Sequence, residues 1–149
     1  MFPLKKIICP VDFSEPSNEG LKAAVELAQY FSAELIIVHV VHVQPVVTPG
    51  IPTTKTGRTY YQEVNELART SLDEIVEKQV PESATARTNV LAGQPAFEII
   101  KETEAEKADV IVMATHGWTG WRRFIFGSVA EKVVRTSPVP VLTIPKPEE

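Results

Sequence analysis

Short apolar runs recur along this chain, each closed by a turn-forming or helix-capping residue and followed by a stretch with helical spacing. Residues 5–12, 34–41 (ELIIVHVV) and 109–114 (DVIVMA) are too short for buried helices and apolar on alternate and intervening positions alike. Strands of that kind belong in a sheet covered on both faces. Residues 87–92 form a weaker, more polar run, and 139–144 the last one. Between them lie four helical segments. Ser14-Glu15-Pro16 is a helix start, with a capping hydroxyl and a proline in the first turn, and Leu21, Ala24, Val25, Ala28 and Phe31 follow at helical spacing. Val64, Leu67, Ala68, Ser71, Leu72, Ile75 and Val76 make a second stripe that runs out near Gln79. Pro95 opens a third helix with Phe97, Ile100 and Ala108 inward, and Gly127-Ser128 a fourth with Val129, Ala130, Val133 and Val134.

The alternation βαβαβαβαβ with short connections predicts one α/β domain over residues 1–149, a doubly wound five-stranded parallel sheet with helices on both faces. Residues 43–58 carry Pro45, Pro49, Pro52, Gly50 and Gly57 and read as a mobile loop within that domain.

Composition excludes several function classes. With 15 basic and 19 acidic residues the net charge is −4, which offers no general attraction to nucleic acid or to an anionic membrane. One cysteine, Cys9, allows neither an internal disulfide nor a thiolate metal cluster, and its place in a buried strand predicts an inert thiol. The apolar run after the basic N-terminus is too short for a signal-peptide core, and no stretch approaches the length of a spanning helix, so a cytoplasmic protein is expected.

In doubly wound sheets ligands sit at the carboxyl ends of the strands, near a topological switch point. Asp12, Val40, Gly93 and Thr115-His116-Gly117 occupy those ends. The most informative pattern is Ala114-Thr115-His116-Gly117, nine further residues, then Gly127-Ser128 at a helix start. A helix N-terminus presents free N–H groups and partial positive charge, which suits phosphate, and glycine lets backbone approach an anion. Ser128 and Glu131 also make a capping box, a structural use of the same serine that is compatible with the first. Asp12 suits a ribose or a turn, and His116 a phosphate or a loop hydrogen bond. His39 and His42, three apart on a strand, point to opposite faces and make a poor metal pair. Neither G-x-G-x-x-G after a strand nor G-x-x-x-x-G-K-[ST] occurs, which speaks against a Rossmann dehydrogenase or a Walker-type NTPase. A receiver-type signalling domain lacks its acidic cluster, since only Asp12 is present.

Over nearly its whole length the chain resembles the universal stress protein family. The resemblance rests on Ile7-Ile8-Cys9-Pro10-Val11-Asp12-Phe13-Ser14, Ile37-Val38-His39-Val40 and Gly93-x-Pro95. It is most specific from Met113-Ala114-Thr115-His116-Gly117 through Gly127-Ser128-Val129-Ala130 to Pro138-Val139-Pro140-Val141-Leu142. The ATP-binding branch of that family carries G-x2-G-x9-G-[ST]. Here Gly117, the nine-residue spacing and Gly127-Ser128 match, whereas Ala114 replaces the first glycine and Trp118 a commonly basic residue. Alanine fits at 114 at little cost if φ is negative there.

The resemblance implies a sheet of order 3-2-1-4-5, of the adenine nucleotide alpha hydrolase-like type, with ATP between strands one and four as a regulatory ligand in a stress response. Asp12, with Pro10 and Val11 before it, would take the ribose, and the backbone at Val40 the adenine edge. Gly117, Gly127 and Ser128 would hold the phosphates, and Gly93, Ala114, Thr115, His116 and Val129 would complete the ATP site. Mg2+ or Mn2+ would accompany the nucleotide without protein side chains alone forming a metal site. No catalytic residue is expected, so at most slow hydrolysis. The resemblance further implies a homodimer through Val139-Pro140-Val141-Leu142-Thr143-Ile144, an edge strand by its prolines, and a regulatory partner protein. The alternative is a nucleotide-free dimeric interaction module of the same fold, favoured by Ala114 and Trp118. The aromatics Trp118, Trp121, Phe124 and Phe126 crowd the loop between the two halves of the motif, Phe124 and Phe126 being expected beneath it.

Overall fold

The computed structural model describes residues 2–42, 53–116 and 126–147. Five strands, β1 (Lys6–Pro10), β2 (Glu34–Val41), β3 (Ala86–Ala92), β4 (Val110–Ala114) and β5 (Val141–Ile144), form one sheet in the order β3-β2-β1-β4-β5. Every pairing is parallel. Helices α1 (Glu15–Phe31), α2 (Thr53–Gln79), α3 (Pro95–Glu106) and α4 (Ser128–Thr136) fill the crossovers.

Alternation along the strands divides the interior into two apolar layers. Ile7, Cys9, Leu35, Ile37, Val110 and Val112 pack under α1 and α2, where Leu21, Ala24, Val25, Leu72 and Ile75 meet them. Ile8, Ile36, Val38, Ile111 and Met113 face α3 and α4, against Ala96, Ile99, Ala130 and Val133. Both faces of β1, β2 and β4 are thus buried, which is why those strands read as unbroken apolar runs. Cys9 is fully buried, and burial pushes its thiol up to about 12.

The first helix starts as its sequence predicts: Ser14 is the N-cap and its hydroxyl accepts the Ser17 N–H at 3.3 Å. Other local expectations are corrected. The helix after β2 begins at Thr53, so the second part of the loop expected over 43–58 is helical, and residues 43–52 lie outside the described residues. Leu67 is exposed, while Ala68, Leu72 and Ile75 carry the inner face of α2. On α3 the inner face is Ala96, Ile99 and Thr103, one position out of phase with Phe97 and Ile100; Phe97 points to solvent. Ala108 is buried as expected but lies past the helix end. Val134 and Phe126 are likewise exposed, where Phe126 was expected buried beneath the loop; that loop and Phe124 lie outside the described residues.

At the amino ends of the strands, charges are matched pairwise. Arg87 on β3 donates to Glu34 at 2.7 Å and to Glu106 at the end of α3, and Lys6 on β1 lies 3.2 Å from Glu106 and 3.6 Å from Glu34. Asp109 accepts the backbone N–H groups of Lys5 and Lys6 at 2.7 and 2.9 Å. Among the described residues, no helix is long and apolar enough to cross a membrane.

Candidate functional site

The carboxyl ends of the strands carry a cleft of about 520 Å³, of the size that takes a small organic ligand. It opens where the chain leaves β1 for one face of the sheet and β4 for the other, at the switch point of the order β3-β2-β1-β4-β5.

On the β1 lip, Pro10, Val11 and Asp12 line the cleft. Phe13 follows with φ of 65°, a left-handed conformation costly for an aromatic residue and a frequent mark of a constrained site. The turn is tied down on both sides. An Asp12 carboxylate oxygen accepts from the Ser14 N–H at 3.0 Å and from its hydroxyl at 2.5 Å, and the Asp12 N–H donates to the Ser17 hydroxyl at 3.0 Å. Asp12 therefore serves the turn and faces the cleft at once.

The ladder between β1 and β2 ends at Pro10 and Val38, and the Val11 N–H reaches the Val38 carbonyl at 2.8 Å. β2 runs on to Val41. Backbone direction alternates along a strand, so Val40 turns its N–H and C=O to the side that Val38 offers to β1, where no strand continues. His39 closes part of the gap: its Nδ1 donates to the Val11 carbonyl at 2.8 Å and its ring packs on Phe13 with centroids 4.5 Å apart.

On the facing lip, Ala114, Thr115 and His116 continue from β4, and Gly127, Ser128 and Val129 open α4. Thr115 fixes this corner. Its N–H donates to the Ile144 carbonyl at 3.0 Å, its carbonyl accepts the Gly127 N–H at 2.8 Å, and its hydroxyl lies 2.8 Å from His116 Nδ1. Gly127 is the N-cap of α4, and among the described residues no side chain caps the helix. The expected capping box is therefore not formed, because Ser128 is already the first helical residue and Glu131 pairs with Arg135 instead. The first N–H groups of α4 thus lie beside the cleft without a side-chain acceptor among the described residues. His116 is buried, and its Nε2 has no hydrogen-bond partner among the described residues.

Ala114 has ordinary extended backbone as the last residue of β4, so the methyl that replaces glycine there is accommodated without strain. Gly20 of α1 makes room beside it: a Cβ on Gly20 would lie 3.0 Å from the Ala114 nitrogen.

Of the twelve residues expected to hold a ligand, ten line the cleft. Gly93 does not; its φ of 141° and its N–H bond to Val41 make it the turn out of β3, and a Cβ there would meet Glu98. Gly117 lies outside the described residues, as do Trp118 and Trp121. Ser17, His39, His42, Pro95, Ile99 and Met113 were not expected and do line it. His42 shares the cleft with His39 because β2 ends at Val41, after which strand alternation no longer sets its direction. Pro95 and Ile99 arrive with α3, whose approach across the sheet has no local signal. Among the described residues no group of three or more His, Cys, Asp or Glu is placed to hold a metal ion.

Fold and site together define a doubly wound α/β protein with a ligand-sized cleft at its switch point. Comparison with known proteins makes this specific. Residues 3–145 match the model of the universal stress protein family, and the chain belongs to that family. It is 37% identical over 145 residues to Universal stress protein MJ0531 of Methanocaldococcus jannaschii, covering 97% of this chain and 84% of that one. The solved structure of MJ0577, a universal stress protein of the same archaeon, superposes with a TM-score of 0.80 at 26% identity, over 98% of this chain and 99% of that one. A universal stress protein of Archaeoglobus fulgidus solved in complex with dAMP shares the fold, with a TM-score of 0.60 at 23% identity over 98% and 100% of the two chains.

Proposed function

We propose that this universal stress protein binds an adenine nucleotide, ATP, in the cleft as a regulatory ligand, and that it carries no dedicated catalytic residues. The observation that carries the reading is the start of α4: a helix N-terminus of nine residues' length, without a side-chain cap among the described residues, opening on the cleft through Gly127. Free N–H groups and the positive end of a helix dipole suit phosphate oxygens. Across the cleft the Asp12 carboxylate can accept ribose hydroxyls, and the open backbone edge at Val40 offers the donor and acceptor that an adenine edge needs. A dAMP-bound relative of the same fold supports the choice of base. Mg2+ or Mn2+ would travel with the triphosphate rather than sit on a protein cluster. We further propose a homodimer through β5, which pairs with β4 on one side and is the edge of the sheet on the other.

Heat-denaturing freshly purified protein and chromatographing the supernatant, then titrating stripped protein with ATP and Mg2+ by calorimetry, tests the reading. ATP binding with one site per chain is the expected result. A folded sample with neither released nucleotide nor binding heat leaves the nucleotide-free interaction module instead.

A further inference from the structure

The peptide unit that joins Val11 to Asp12 carries the carboxylate into the cleft, and side chains rather than the sheet hold it at both ends. The ladder between β1 and β2 stops at Pro10 and Val38, so the Val11 carbonyl lies beyond the last strand register. His39 Nδ1 is 2.8 Å from that carbonyl. A carbonyl only accepts, so the ring nitrogen facing it carries the proton and the tautomer is set. At the other end of the same peptide, the Asp12 N–H donates to the Ser17 hydroxyl at 3.0 Å. One clamp comes from β2 and the other from the first turn of α1.

The fold also places the His39 ring. Strand alternation turns Val38 and Val40 toward α3 and α4, and His39 with Ile37 toward α1 and α2. In that layer the ring packs on Phe13, with centroids 4.5 Å apart. Phe13 is the residue of φ 65° immediately after Asp12. A left-handed aromatic residue persists only where its surroundings over-determine it. His39 thus grips both chain neighbours of Asp12, Val11 by a hydrogen bond and Phe13 by ring packing.

We infer that His39 is a positioning residue of the cleft: it sets the plane of the Val11–Asp12 peptide and through it aims the Asp12 carboxylate at the sugar hydroxyls of the nucleotide. The inference rests on the proposed ATP site and adds a residue that acts on it from the other layer of the sheet. If that peptide is free to turn, the Asp12 side chain turns with it, while the α4 amides on the facing lip keep their place. Loss of the His39 bond therefore falls on recognition of the ribose and spares the phosphates.

Calorimetry of the full chain with Mg-ATP and with Mg-2′,3′-dideoxy-ATP, which lacks both sugar hydroxyls, decides it. The unaltered protein should bind ATP about tenfold more tightly than the analogue, as hydrogen bonds to a carboxylate warrant. H39F keeps an aromatic ring against Phe13 and removes the donor. It should bind the analogue as the unaltered protein does and ATP no better, so the preference disappears. H39N puts an amide N–H near the place of Nδ1 and should restore most of it. S17A releases the N–H end of the same peptide and should lower the preference in its own right, which settles the matter if H39F does not fold. If H39F, or S17A in its place, weakens ATP and analogue alike or keeps the full preference, the inference is overturned and ATP binding stands. Equal binding of the two nucleotides by the unaltered protein overturns it as well, because the sugar hydroxyls are then not read. No ATP binding at all overturns the inference and the proposed function together.

Discussion

The two ends of the sheet are built from similar residues to opposite effect. At the amino ends, Lys6, Glu34, Arg87 and Glu106 alternate in sign across three strands and a helix end, and Asp109 caps the two backbone amides that lead into β1. At the carboxyl ends, among the described residues, α4 begins without a side-chain cap, His116 keeps a ring nitrogen without a partner, and Phe13 holds a left-handed backbone. The charges at the amino ends are matched to one another, and among the described residues the buried side-chain atoms without a partner are Gln79 Oε1 at that end and Asn18 Oδ1 and His116 Nε2 toward the other. Unsatisfied groups cost stability, and an uncapped helix start, a partnerless ring nitrogen and a left-handed aromatic backbone gathered round one cleft are what the proposed binding site requires.

The largest expected effect falls at the cleft. Gly127 has φ of −61°, which any residue tolerates, so G127V should fold while its side chain crowds the approach to the α4 amides. ATP affinity should fall by about a hundredfold or more, a loss of about 3 kcal/mol, with the thermal midpoint little changed. Equal loss of stability and affinity would erase the contrast between the ends. D109A should do the reverse at the matched end. Losing a charged acceptor for two backbone amides should lower unfolding free energy by about 1.5–3 kcal/mol in urea titrations and leave ATP affinity as it was. The smallest effect concerns acid. Arg87 beside it, then Lys6, holds the Glu106 carboxyl below its usual range, and the Lys5 and Lys6 amides do the same for Asp109. A carboxylate lowered in the folded state stabilises above its unfolded pKa and loses that contribution as pH falls through the lowered value. Stability should therefore decline below about pH 4, and R87Q should move the acid midpoint upward while costing less than about 1 kcal/mol near neutrality, since the network is half-exposed.

What was legible in the sequence follows from where the determining forces act. The order of elements and the bounds of β2 were legible because burial on both faces leaves an uninterrupted apolar run. The start of α2 was not: residues 53–63 bear threonines, a glycine and few apolar side chains, so nothing in the pattern distinguishes helix from loop there. The cap of α4 was misplaced by one residue because Ser128 and Glu131 satisfy the pattern of a box, whereas the Thr115 carbonyl claims the Gly127 N–H and sets the boundary earlier. The lips of the cleft were legible, since strand ends at a switch point follow from topology. Its walls from α3, and the convergence of three histidines, depend on how helices cross the sheet.

Cys9 has a further consequence. Its thiol lies in the middle of β1 beneath two helices, and with a pKa pushed up to about 12 almost none of it is thiolate at neutral pH. A protein with this single, sealed sulfhydryl is blind to peroxide and to electrophiles through its own cysteine chemistry. For the experimenter it is also a blank background. A cysteine introduced at an exposed position such as Leu67 would take a fluorophore alone, and one label on α2 would report on the folded protein without a competing signal.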